Sequence, residues 1–199
     1  MSRWLDMLRL QYNGLLADRF DWWEFNRTQV NACPLVASIA KPREQPEYYA
    51  QKRGLVNLKK ERTWYREIHS QVFQDMVKRV KLAFDRFLKG DKNGKHSGRP
   101  RFKGKHRYRT FTYTQAKNDW IDDNSINLPK IGLIRFIKHR PLPERFSVKT
   151  ASVSRKADGW YLTLSLEDKS VPDWPQIDIE PTESNSIGID SGLEYSVAC

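Results

Sequence analysis

The chain of 199 residues contains only two cysteines, Cys33 and Cys199. Thiols so far apart define no disulfide framework, and they lack the paired spacing of a zinc site. No apolar run is long enough to span a bilayer, and the first residues lack the apolar core of a signal peptide. The expected location is therefore cytoplasmic, with no membrane partner. Charge of one sign is also missing locally. From Arg86 to Arg109 a single acid, Asp91, faces ten Lys or Arg, a net of +9. From Trp160 to Cys199 a single base, Lys169, faces eight acids, a net of −7. A chain polarised in this way presents a phosphate-binding face rather than a uniform charge for solubility. Hydrophobic content of 39% with seven Trp excludes a disordered chain.

What is present first is helix. From Ser2, Trp4, Leu8, Tyr12, Leu15, Leu16 and Arg19 or Phe20 recur at helical spacing, with Asp6, Arg9 and Asp18 between them. Trp22 and Trp23 are adjacent and cannot share one face, so one of them is expected to pack on another element. Pro34 closes this region. Pro42 and Pro46 then mark a loop and short helix, in which Tyr48 and Tyr49 either stack on bases or pin the loop to the core. The spacing predicts the best helix over Thr63–Leu88, capped by Thr63 and stopped by Gly90. Its stripe is Ile68, Val72, Met76, Val80, Phe84 and Phe87. His69 lies beside that stripe, with no second ligand at helical spacing.

Asp91–Gly98 is a turn-rich link into a basic extended segment. Arg99, Arg101, Lys103, Lys105, Arg107 and Arg109 are interleaved with Phe102, Tyr108 and Phe111. Cations pair with phosphates and rings stack on bases, which suits nucleic acid. The alternative is a solvated edge strand guarded by charge. The preference for Arg over Lys favours nucleic acid, because Arg grips phosphate with two donors. Alternation puts Phe111 and Tyr113 on one face and Tyr108, Thr110 and Thr112 on the other. If the strand belongs to a barrel, the first pair is core and the second set is surface.

Further strands are expected at Ser125–Leu128, Ile131–Ile137, Phe146–Ser154 and Trp160–Leu166, the last two joined by a turn at Asp158-Gly159. The expected fold class is α+β. Residues 1–90 form a helical region, and 91–170 a small β-barrel carrying the basic segment. Residues 171–185 are an acidic, proline-containing linker, and 186–199 begin another domain. That last stretch reads as strand, turn, strand, with Asp190 at the end of the first strand. Asp190 is either a rigidly aimed ligand for a divalent cation or an ordinary turn residue beside Gly192.

Four stretches stand in one order: the helix with Ser70-Gln71 and Ala83–Phe87, then Gly98-Arg-Pro-Arg-Phe-Lys103, then Ala157-Asp-Gly-Trp-Tyr161, then Gly188-Ile-Asp-Ser-Gly-Leu193. Together they resemble the TnpB/OrfB proteins of bacterial insertion sequences, described as transposases. These are RNA-guided DNA nucleases related to the type V CRISPR effectors. The resemblance implies a helical recognition region with a β-barrel wedge domain, both holding guide RNA and target DNA. It also implies the start of a RuvC-like nuclease domain with an RNase H fold. It makes Asp190 a catalytic residue and a magnesium ligand, and Arg99–Tyr113 part of the nucleic-acid surface.

This sequence departs from the family pattern in several places. Two further catalytic carboxylates and the four zinc-ribbon cysteines are not found in residues 1–199. Ser191 and Glu194 stand where an apolar residue and a lysine are frequent, and the added acid could raise the Asp190 pKa. Residues 1–199 are thus expected to be an N-terminal portion with a truncated RuvC-like domain, inactive alone, with no tightly bound magnesium and no zinc. The other readings are a non-catalytic nucleic-acid-binding module and a protein-interaction domain whose charge is incidental.

Overall fold

The computed structural model describes residues 1–30, 42–143 and 145–168. Residues Met1–Asp168 form one compact unit. The expected linker at 171–185 and the Asp190 strand lie outside the described residues. The fold class is α+β, as expected.

The first helix, α1, runs over Ser2–Val30. Its buried face carries Trp4, Leu8, Tyr12, Leu15, Leu16 and Phe20, the residues that the helical spacing selects. Arg19 is buried among them at 1% exposure. Its guanidinium donates to Gln51 Oε1 from Nη2 at 2.8 Å and from Nε at 3.2 Å. Those bonds tie α1 to α2, which spans Tyr48–Glu61. In α2 Tyr48 packs on the core while Tyr49 stays 62% exposed.

Both Trp22 and Trp23 find partners, where one was expected to. Trp22 meets Phe84 edge-on at 6.3 Å and Trp23 meets Phe87 at 5.2 Å. Neighbouring indoles thus flank a single helix, α3, which spans Ser70–Leu88. Six α3 side chains, from Val72 to Phe84, are buried. Each large apolar side chain so covered contributes about 1.5–3 kcal/mol. Helix α3 packs on α1, α2 and the first strand, so the fold is built around it.

The start of α3 differs from expectation. Thr63–Glu67 is a separate 3-10 turn, Ile68 is extended, and His69 is the cap, its ring accepting from the Gln71 amide at 3.4 Å. Ile68 is fully buried and Tyr65 packs edge-on against Phe73 at 5.4 Å. Tertiary burial of these two side chains overrides the local helical preference. At the other end Gly90 takes φ +82°, and a Cβ there would meet the Gly94 backbone at 3.0 Å. Only glycine fits that stop.

The strands are β1 (Thr110–Tyr113), β2 (Ile121–Asp122), β3 (Ser125–Leu128), β4 (Gly132–Arg135), β5 (Phe146–Arg155) and β6 (Trp160–Asp168). They form two antiparallel three-stranded sheets, β1-β5-β6 and β2-β3-β4. Among the described residues no closed barrel forms. The strand expected over 131–137 keeps only Gly132–Arg135, and Pro141 and Pro143 follow, which cannot donate to a ladder.

In the first sheet Phe111 faces Val153 and Tyr113 faces Ala151, all buried. The opposite face of the same pairing is a ladder of hydroxyls, Thr110 to Ser154 at 2.9 Å and Thr112 to Ser152 at 2.8 Å. Tyr113 also reaches the other sheet's side of the core, donating its hydroxyl to the Pro129 carbonyl at 2.8 Å.

Candidate nucleic-acid interface

The basic segment from Arg99 to Arg109 lies along α1 in the reverse direction, fastened at successive points. At its start Arg99 bridges Glu24 at 3.0 Å and lies over the rings of Phe20 (4.2 Å) and Trp23 (5.5 Å). Phe102 then meets Phe20 edge-on at 5.7 Å. Further along, the Asn13 amide holds the Lys103 backbone in both directions. It donates to the Lys103 carbonyl at 2.9 Å and accepts from the Lys103 amide at 2.8 Å.

Beyond Lys103 the chain turns. The Arg107 amide donates to the Gly104 carbonyl at 3.1 Å, and His106 takes a left-handed φ of 65°. Tyr108 then packs against Tyr12 at 5.8 Å and is buried. Arg109 donates from Nε to the His106 carbonyl at 3.0 Å, which closes the turn. β1 starts at the next residue.

This path sorts the expected contact residues. Arg101, Lys105, Arg107 and Arg109 are exposed, and Lys103 is half-buried. Arg99 is exposed but already has a carboxylate and two rings as partners. The strap therefore presents cations at fixed positions, because its backbone and its aromatic side chains are spent on α1.

The aromatic side chains expected to stack on bases lie in different surroundings. Phe111 and Tyr113 are at 1% and 0% exposure, so they are core and not a stacking platform. Tyr108 was expected on the surface in that case, yet it too is buried. The Gly104–Arg107 turn breaks the alternation, so the period of two starts only at Thr110. Burial raises the Tyr108 pKa to about 12, against a smaller opposing effect of Arg79. Phe102, 54% exposed, is the ring on the strap that faces solvent.

Arg79 of α3 fixes the end of this path. Its guanidinium donates to the Thr110 carbonyl at 3.0 Å and the Thr112 hydroxyl at 2.7 Å, and it pairs with Asp75 at 2.7 Å. Burial raises the Asp75 pKa, with Arg79 pulling it back. Sequence reasoning passed over Arg79 because nothing in helical spacing shows that β1 will lie beside it. It also passed over Arg155 and Lys156. The Arg155 amide donates to the Arg109 carbonyl at 2.8 Å, so β-pairing carries these two cations to the strap's end.

Asp190, the expected magnesium ligand, lies outside the described residues. Among the described residues no group of three or more His, Cys, Asp or Glu is placed to hold a metal ion. No helix among them is long and apolar enough to cross a membrane.

No family model matches the chain. The chain is similar to the Escherichia coli K12 protein named "Putative RNA-guided DNA endonuclease InsQ", with 28% identity over 134 residues. The match covers 67% of this chain and 30% of that relative. The chain thus spans under a third of the length of the curated relative. The match bears out the resemblance carried by the four ordered motifs.

Proposed function

We propose that residues 1–168 are the nucleic-acid-holding part of an RNA-guided DNA nuclease of the TnpB/OrfB type, associated with insertion sequences. The observation that carries this is the strap. Arg101, Lys105, Arg107 and Arg109 stand exposed on a backbone that Asn13, Phe20 and Tyr12 hold against α1. Cations placed this way track a phosphate backbone without a further entropic cost of ordering the loop.

In this reading the helices are the recognition-like region, the two sheets the wedge-like one, and guide RNA and target DNA the partners. Asp190 begins a RuvC-like domain and is a magnesium ligand there. Magnesium, when bound, would stabilise charge on the scissile phosphate. One carboxylate does not clamp two metal ions around that phosphate, so residues 1–199 by themselves bind without cutting.

The test is a pair of assays on the same preparation. Anisotropy titration with a structured RNA should give affinity that falls steeply with salt, and incubation with DNA and magnesium should give no products. Salt-insensitive or absent binding contradicts the holding role. Cutting that disappears in Asp190→Ala contradicts binding without cutting.

A further inference from the structure

Where the strap ends, a cleft of about 230 Å³ opens between the first turn of α1, the His106–Arg109 turn and the end of β5. Its cations are Arg109, Arg155 and Lys156, with His106 beside them. Only Arg109 of these belongs to the basic run visible in the sequence. The other two arrive because the Arg155 amide donates to the Arg109 carbonyl, so the two arginines leave adjacent strand ends.

The Arg109 guanidinium is fixed by its Nε bond to the His106 carbonyl. Lys156 rests with Nζ 4.1 Å over the Tyr161 ring. Asp6 is the acid in the lining, and its carboxylate lies 3.7 Å from Arg9 Nε, which offsets part of its charge. A polar concavity with such an excess of positive charge, two of its cations guanidiniums, suits an oxyanion with several acceptor oxygens.

We propose that this cleft is a phosphate seat, and that its ligand is one phosphate of the polynucleotide bound along the strap. The second half rests on the binding role proposed above. Arg155 and Arg109 grip the phosphate oxygens, Lys156 adds a third charge, and the seat fixes where the polynucleotide leaves the strap.

Two measurements test it. In the first, a labelled poly(U) oligonucleotide is titrated across a salt series. Arg155→Gln should lower the log–log slope by up to about 0.7, the value for one neutralised phosphate on a single strand, and adding Lys156→Gln to it should lower the slope no further. Asp6→Asn should tighten binding, and Lys60→Gln on α2 should leave the slope alone. In the second, inorganic phosphate is titrated into ¹⁵N-labelled protein. Saturable shifts should cluster at His106, Arg109, Arg155 and Lys156, and Arg155→Gln should abolish them while the melting temperature holds.

A steep wild-type slope that Arg155→Gln does not change overturns the seat and leaves the binding role standing. Shifts spread evenly over exposed lysines also overturn it. Wild-type protein that ignores poly(U) but shows the clustered shifts retains the seat and overturns the polynucleotide as its ligand.

Discussion

Arg79 on α3 donates to the Thr112 hydroxyl of β1 at 2.7 Å, and Thr112 in turn shares a hydrogen bond with Ser152 of β5 at 2.8 Å. The helix that organises the core is thereby joined to the sheet whose first strand continues the basic strap. The packed core and the basic strap meet at one guanidinium.

Arg79→Ala should destabilise the fold by about 2–3 kcal/mol in urea unfolding, since hydrogen bonds from a charged donor disappear and Asp75 is left behind. Arg79→Lys should recover only part of this, because one ammonium cannot reproduce a planar fork. The Arg79→Ala deficit should also depend on pH. Burial already raises the folded-state pKa of Asp75, and losing Arg79 removes an opposing influence. The folded state then holds the Asp75 proton to higher pH than the unfolded state does. Its stability falls as pH rises from the ordinary aspartate value through the raised one, so the deficit should be smallest in acid. A deficit that grows on acidification would contradict this assignment.

Phe111→Ala should cost about 3–5 kcal/mol of stability, because the ring is enclosed and lies 5.6 Å from Trp4. Affinity of the still-folded protein for RNA should not change. A loss of affinity with an unchanged melting temperature would place the ring on the binding surface instead.

Alkaline pH should unfold the protein earlier than exposed tyrosines would. Burial raises Tyr108 to about 12 and raises Tyr113 as well. Both groups keep their protons in the folded state above pH 10, near which an unfolded tyrosine ionises. Stability is therefore full below about pH 10 and declines as pH climbs through the folded values. Tyr108→Phe should flatten this decline. An equal decline in the variant would assign it to other groups.

The helical half of the fold was legible because its signals are local. The α3 stripe needs only a period of 3.6, and Gly90 needs only the rule that helices stop at a left-handed residue. The β5–β6 hairpin was legible from Asp158-Gly159 for the same reason.

Features fixed by distant partners were not legible. Ile68 is extended because its side chain is buried, which no neighbour in sequence announces. Tyr108 is buried because the turn at His106 resets the alternation. Arg155 and Lys156 reach Arg109 through a strand register that the sequence leaves open. The strap's cations were legible as a run, but Arg99's engagement with Glu24 and two rings was not.

The strap's exposed cations are proposed to bind phosphate. The most direct measurement is the salt dependence of RNA affinity for the wild type and for a variant with Arg101, Lys105, Arg107 and Arg109 all changed to Gln. These residues are exposed, so the variant should keep its melting temperature to within a few degrees. Its log–log slope should be shallower than wild type by about 0.7–0.9 for each phosphate that is no longer neutralised. A folded variant with the wild-type slope would show that these cations only solvate the surface.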